Sequence, residues 1–117
     1  MPVRHALVVD DSKSARLMLR KMLQGLGVDV DVAESGEEAL NYLRNRRTDA
    51  VFLDHIMPGI DGLSTLRSLK ADSATAALPV AMYTSRDDAE YRDEALAAGA
   101  IGVLTKPTVP EVLKALL

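Results

Sequence analysis

Cysteine and tryptophan are both absent from the 117 residues. Without thiols there is no disulfide, no thiolate zinc site, no iron–sulfur cluster and no cysteine nucleophile. Histidine occurs only as His5 and His55, which excludes a multi-histidine metal centre. One phenylalanine and three tyrosines leave the core to aliphatic side chains and alanine. No charge of one sign dominates, since 14 basic and 17 acidic residues give a net charge of -3. There is thus no basic footprint for nucleic acid or an anionic membrane surface, and neither is expected as a direct ligand. No apolar run approaches the roughly 18 residues of a membrane span. The opening Met-Pro-Val-Arg-His has no signal-peptide apolar region, and a cytoplasmic location is expected.

What is present is ordinary globular composition, 48% hydrophobic and 26% charged, in a length that suits one domain over residues 1–117. Five short apolar runs recur, at His5 to Asp10, Val28 to Val32, Ala50 to Asp54, Leu78 to Thr84 and Ile101 to Thr105. Runs such as Ala6-Leu7-Val8-Val9 are nearly continuous, the pattern of strands buried on both faces of a parallel sheet. Helical spacing fills the gaps. Ala15, Met18, Leu19, Met22 and Leu26 make one apolar stripe, stopped by Gly27. Ser35-Gly36-Glu37-Glu38 reads as a capping box in which Ser35 and Glu38 satisfy each other's orphan amides, opening a helix that buries Ala39, Leu40 and Leu43. A third helix follows residues 58–62 and buries Leu63 and Leu66. The fourth spans about Asp87 to Ala98 with Leu96 inward, and the fifth runs from about Val109 to the end. The short last helix and its apolar ending fit a chain cut from a longer protein. Five alternations imply right-handed crossovers and an α/β, doubly wound, five-stranded parallel sheet with helices on both faces.

Ligands of such sheets bind outside the carboxyl ends of the strands. Here those ends carry Asp10-Asp11, Asp54, Thr84-Ser85 and Thr105-Lys106-Pro107. Each alone is ordinary loop chemistry. Together they place three carboxylates, a hydroxyl and an ammonium on one rim, which suits a hard divalent cation, most simply Mg2+, beside a reactive carboxylate and an anion site.

At these residues the chain resembles the receiver domains of two-component response regulators. The matches are Leu7-Val8-Val9-Asp10-Asp11 with Ser12 and an Arg16-bearing helix, residues 33–40, Asp54-His55-Ile56-Met57-Pro58-Gly59-Ile60-Asp61-Gly62, Thr84-Ser85, residues 95–100 and Lys106-Pro107. The resemblance covers essentially the whole chain and implies a flavodoxin-like strand order 2-1-3-4-5. It implies that Asp54 is the phosphoacceptor, and that Asp10, Asp11 and Asp54 hold Mg2+ with the backbone carbonyl of Ile56. Thr84 and Lys106 then bind the phosphoryl group, and a cis bond precedes Pro107. The implied activity is a switch that catalyses only its own phosphorylation and dephosphorylation. The implied partners are a sensor histidine kinase or histidine phosphotransfer protein and a downstream effector domain or protein. A homodimer through the fourth helix, fifth strand and fifth helix is a further option.

Three positions depart from the family pattern. Val103 stands where an aromatic switch is usual, so coupling is expected to run through backbone movement of the loop after Thr84 or through the fourth helix itself, with little change at Val103. Ile56 and Arg86 occupy positions lining the approach of hydrolytic water and are expected to tune phosphoryl lifetime. His55 is expected as a solvent-facing rim residue, and Tyr91 as partly buried or a partner contact. Among rivals, a haloacid-dehalogenase-like phosphatase needs Asp-x-Asp after its first strand, which Asp10-Asp11-Ser12 does not supply. A flavodoxin-type cofactor binder needs a hydroxyl- and glycine-rich loop there instead of repelling carboxylates. A scaffold that is never phosphorylated would have no need of the intact acidic set.

Overall fold

The computed structural model describes residues 3–57, 59–85, 88–106 and 108–116. Strand and helix alternate as β1 (His5–Val9), α1 (Lys13–Gly25), β2 (Asp29–Ala33), α2 (Gly36–Asn45), β3 (Ala50–Leu53), α3 (Gly62–Ala71), β4 (Val80–Thr84), α4 (Ala89–Ala97), β5 (Gly102–Thr105) and α5 (Pro110–Leu116). Each helix returns the chain to the same edge, so every strand pair is parallel, and the sheet order is β2-β1-β3-β4-β5. The order reverses beside β1. The chain steps out to β2 and comes back on the other side as β3, so the loops after β1 and β3 diverge and leave a crevice.

Strand alternation divides the core into two layers. Ala6 and Val8 of β1 face Leu19 and Leu23 of α1 and Leu113 of α5, together with Phe52, Tyr83 and Leu104. Leu7 and Val9 face the opposite side, where Val51, Leu53 and Met82 meet Leu63 and Leu66 of α3 and Tyr91 of α4. Both sheet faces are covered, which is why the strands read as unbroken apolar runs. Among the described residues no helix is long and apolar enough to cross a membrane.

Local chemistry sets the helix ends. Ser12, Ser35, Asp61 and Asp88 are N-caps whose side chains accept from Ala15, Glu38, Ser64 and Tyr91 N–H groups. Gly27 takes φ +85° just beyond α1, a conformation that costs a residue with a Cβ. Only half of the expected capping box forms. Ser35 Oγ accepts from Glu38 N at 3.1 Å, but among the described residues no return bond from Glu38 is present.

Four side chains lie differently from expectation. Met18 is exposed, and the buried pair of α1 is Leu19 and Leu23, one turn apart. Leu96 is 46% exposed, because α4 docks on the sheet with Tyr91 and Ala95 turned inward. An alanine-rich helix gives little periodic signal, and its single leucine misleads. Tyr91 is fully buried, neither half-exposed nor available to a partner. His55 is only partly exposed and packs its ring against Tyr91 rather than facing solvent.

Candidate functional site

The sheet ladder continues one residue past β1 and β3. Asp10 N–H donates to Ala33 O at 3.0 Å and Asp54 N–H to Val9 O at 2.9 Å, which sets the two aspartates side by side at the switch point. Both are buried, whereas Asp11 is exposed. One carboxylate oxygen from each of Asp10, Asp11 and Asp54 lies within 4.8 Å of the others. Lys106 arrives from the end of β5, its N–H held by Thr84 O at 2.8 Å. Its Nζ lies 2.5 Å from Asp10 Oδ2 and 3.2 Å from Asp54 Oδ1, and 5.3 Å from the centre of the Tyr83 ring. The ammonium is thus clamped between two buried carboxylates over an aromatic face.

Electrostatics follow from this crowding. Burial and then the charge of Asp10 push the Asp54 carboxyl up to about 6, with Lys106 working in the opposite direction. Burial pulls the Lys106 ammonium down, but its hydrogen bond to Asp10 and the charge of Asp54 outweigh this and leave it raised. Burial also raises the Tyr83 hydroxyl.

The loops are tied from outside. Arg16 Nη1 donates to Asp10 O at 2.7 Å while Nη2 reaches Glu34 Oε1 at 3.5 Å, pinning the loop after β1. Glu37 Oε1 accepts from Ile60 N–H at 2.8 Å, strapping the loop after β3 to the first turn of α2. That bond holds the Glu37 carboxyl below the usual range. The same loop closes through Gly62 N–H to His55 O at 2.8 Å, and a Cβ at Gly62 would lie 2.1 Å from Asp54 O, so only glycine permits the approach.

The expected residues therefore divide. Asp10, Asp11, Asp54 and Lys106 converge, and Thr84 is buried at the adjoining strand end. Ile56 stands 70% exposed on the loop after β3. Val103 lies in β5 beside Met82, within the core layer rather than at the rim. Arg86 and the bond preceding Pro107 lie outside the described residues. Sequence reasoning missed the tethers Arg16 and Glu37. An acidic residue in a helix's first turn signals dipole compensation, and nothing local shows that Glu37 is aimed at a loop far along the chain.

A parallel sheet of this order, with carboxylates and a lysine at its switch point, defines an acidic receiver-type site. The response regulator receiver domain family model matches residues 6–117, and the chain belongs to that family. Response regulator MprA of Mycobacterium sp. (strain KMS) is 44% identical over 115 residues, covering 98% of this chain and 49% of the relative. The chain thus spans about half the length of the curated relatives it matches. Chemotaxis protein CheY4 of Vibrio cholerae superposes with TM-score 0.89 at 35% identity, over 98% of this chain and 97% of that one. A putative response regulator from Chloroflexus aurantiacus gives TM-score 0.91 at 34% identity, over 97% of this chain and 93% of that one.

Proposed function

We propose that Asp54 is the phosphoacceptor of this receiver domain, with Asp10, Asp11 and Asp54 and the Ile56 carbonyl holding Mg2+ beside it. The observation that carries this is the convergence of three carboxylates and the Lys106 ammonium at the switch point. Three negative charges against one positive leave -2, which a divalent oxygen-liganded cation neutralises. When bound, Mg2+ supplies positive charge against the oxygens of a transferring phosphoryl group.

The chain's own residues supply the rest. With its carboxyl at about 6, Asp54 is ionised at neutral pH and nucleophilic. Its oxygen bonds to phosphorus as the phosphorus–nitrogen bond of a donor phosphohistidine breaks, the electron pair leaving with the imidazole. The product is a mixed anhydride. Its added charge and acceptor oxygens attract Lys106 and the Thr84 hydroxyl, shifting the loops after β3 and β4 between states of one ensemble. Exposed Ile56 stands where water approaches and tunes the lifetime, a role proposed also for Arg86. The donor is a sensor histidine kinase or phosphotransfer protein in the cytoplasm, and the recipient is an effector domain or protein.

Substitutions at two positions test the metal arm. Asp11→Ala is expected to weaken Mg2+ binding at least tenfold in a titration, with little change in melting temperature because the side chain is exposed. Unchanged affinity refutes its role. Glu37→Ala, acting through the loop that carries Ile56, is expected to weaken Mg2+ several-fold, and Glu37→Gln, which keeps an acceptor for Ile60 N–H, to restore most of it. Equal losses in the two variants contradict a hydrogen-bonded strap.

A further inference from the structure

We infer that the state of Asp54 reaches α4 through the ring contact between His55 and Tyr91, and not along β5. This rests on Asp54 being the phosphoacceptor. His55 follows Asp54 directly, so backbone movement at one is shared by the other. Its ring meets that of Tyr91 edge-on, with centroids 4.6 Å apart and planes at 61°. His55 Nδ1 is buried without a hydrogen-bond partner among the described residues, so on that side packing rather than a polar anchor places the ring. Tyr91 is fully buried in the first turn of α4, where its N–H donates to the capping carboxylate of Asp88 at 2.8 Å. A shift of the ring therefore acts on the end of a helix fixed at its cap. Close packing leaves little slack to absorb it, and the exposed residues of α4, Glu94 and Leu96 among them, move with the helix.

The route along β5 lacks the parts. Val103 of β5 pairs with Met82, is buried, and has a stiff β-branched side chain. Tyr83 packs in the opposite layer with Leu104 and Leu113. The loop after β3 thus has an aromatic lever on α4, and β5 has none.

The test is amide NMR with beryllofluoride and Mg2+ as the phosphoryl stand-in, on the wild type, His55→Ala and His55→Phe. In the wild type, shifts are expected at residues 54–57 and through 89–97. His55→Ala is expected to keep the first set and shrink the second at least threefold, while His55→Phe, which restores an aromatic edge, keeps both. Undiminished α4 shifts in His55→Ala, or a wild-type response centred on 103–105, overturn the inference. Absence of wild-type shifts at 54–57 removes the phosphoacceptor reading itself, a result distinct from either.

Discussion

Asp54→Asn is expected to abolish Mg2+-dependent labelling by acetyl phosphate and to raise the melting temperature of the metal-free protein. The first effect follows from chemistry, because an amide lacks the anionic oxygen that attacks phosphorus. Stoichiometric labelling of the variant, read by intact mass, would place the acceptor elsewhere. The second follows from linkage. Burial and the Asp10 charge raise the Asp54 carboxyl from 3.8 to about 6, so between those values the folded chain binds more protons than the unfolded one. Stability contributed by this group is therefore present below the unfolded value and lost as pH rises through about 6. At neutral pH the ionised side chain opposes folding, and removing its charge stabilises by about 1 kcal/mol after solvent screening, or about 4 °C. The gain is expected to vanish below pH 4, where both states carry the proton. An equal gain across the whole range would mean that packing rather than charge is responsible.

Lys106→Met is expected to destabilise the metal-free protein by about 3 kcal/mol at neutral pH, the cost of leaving buried carboxylates without their cation. Its Nζ is the group bonded to both Asp10 and Asp54, at 2.5 and 3.2 Å. The methionine keeps an unbranched apolar stem of similar length, so lost packing contributes little. Adding Asp54→Asn should recover more than a third of the loss, because one of the two stranded charges is gone. Urea unfolding of the four members of this cycle measures the coupling. Strictly additive effects would show that Lys106 and Asp54 do not share an interaction in solution. Saturating Mg2+ should also restore stability to Lys106→Met, since the acidic set it leaves behind is the proposed cation site.

Much of this protein is legible in its sequence. Runs such as Ala6 to Val9 and Ala50 to Leu53 report two-sided burial directly, and short connections leave only parallel crossovers. Asp10, Asp54, Thr84 and Lys106 could be placed on one rim because the carboxyl ends of parallel strands all face the same way. The cap Ser35 acts within three residues of itself, so local sequence determines it.

Tertiary structure decided whatever depends on two distant segments meeting. Glu37 became a strap only when α2 docked beside Ile60, and Arg16 a clamp only when the loops after β1 and β2 came together. The phase of α4, with Tyr91 and Ala95 inward and Leu96 outward, was fixed by docking against the sheet, because alanine on several sides left the hydrophobic pattern nearly even. His55 was drawn from the rim onto Tyr91 by that same docking. A sequence carries the periods and end signals of its elements, since these arise from neighbours along the chain. Which side chains share a proton, a counterion or a packing contact across elements is settled only by the distances that folding creates.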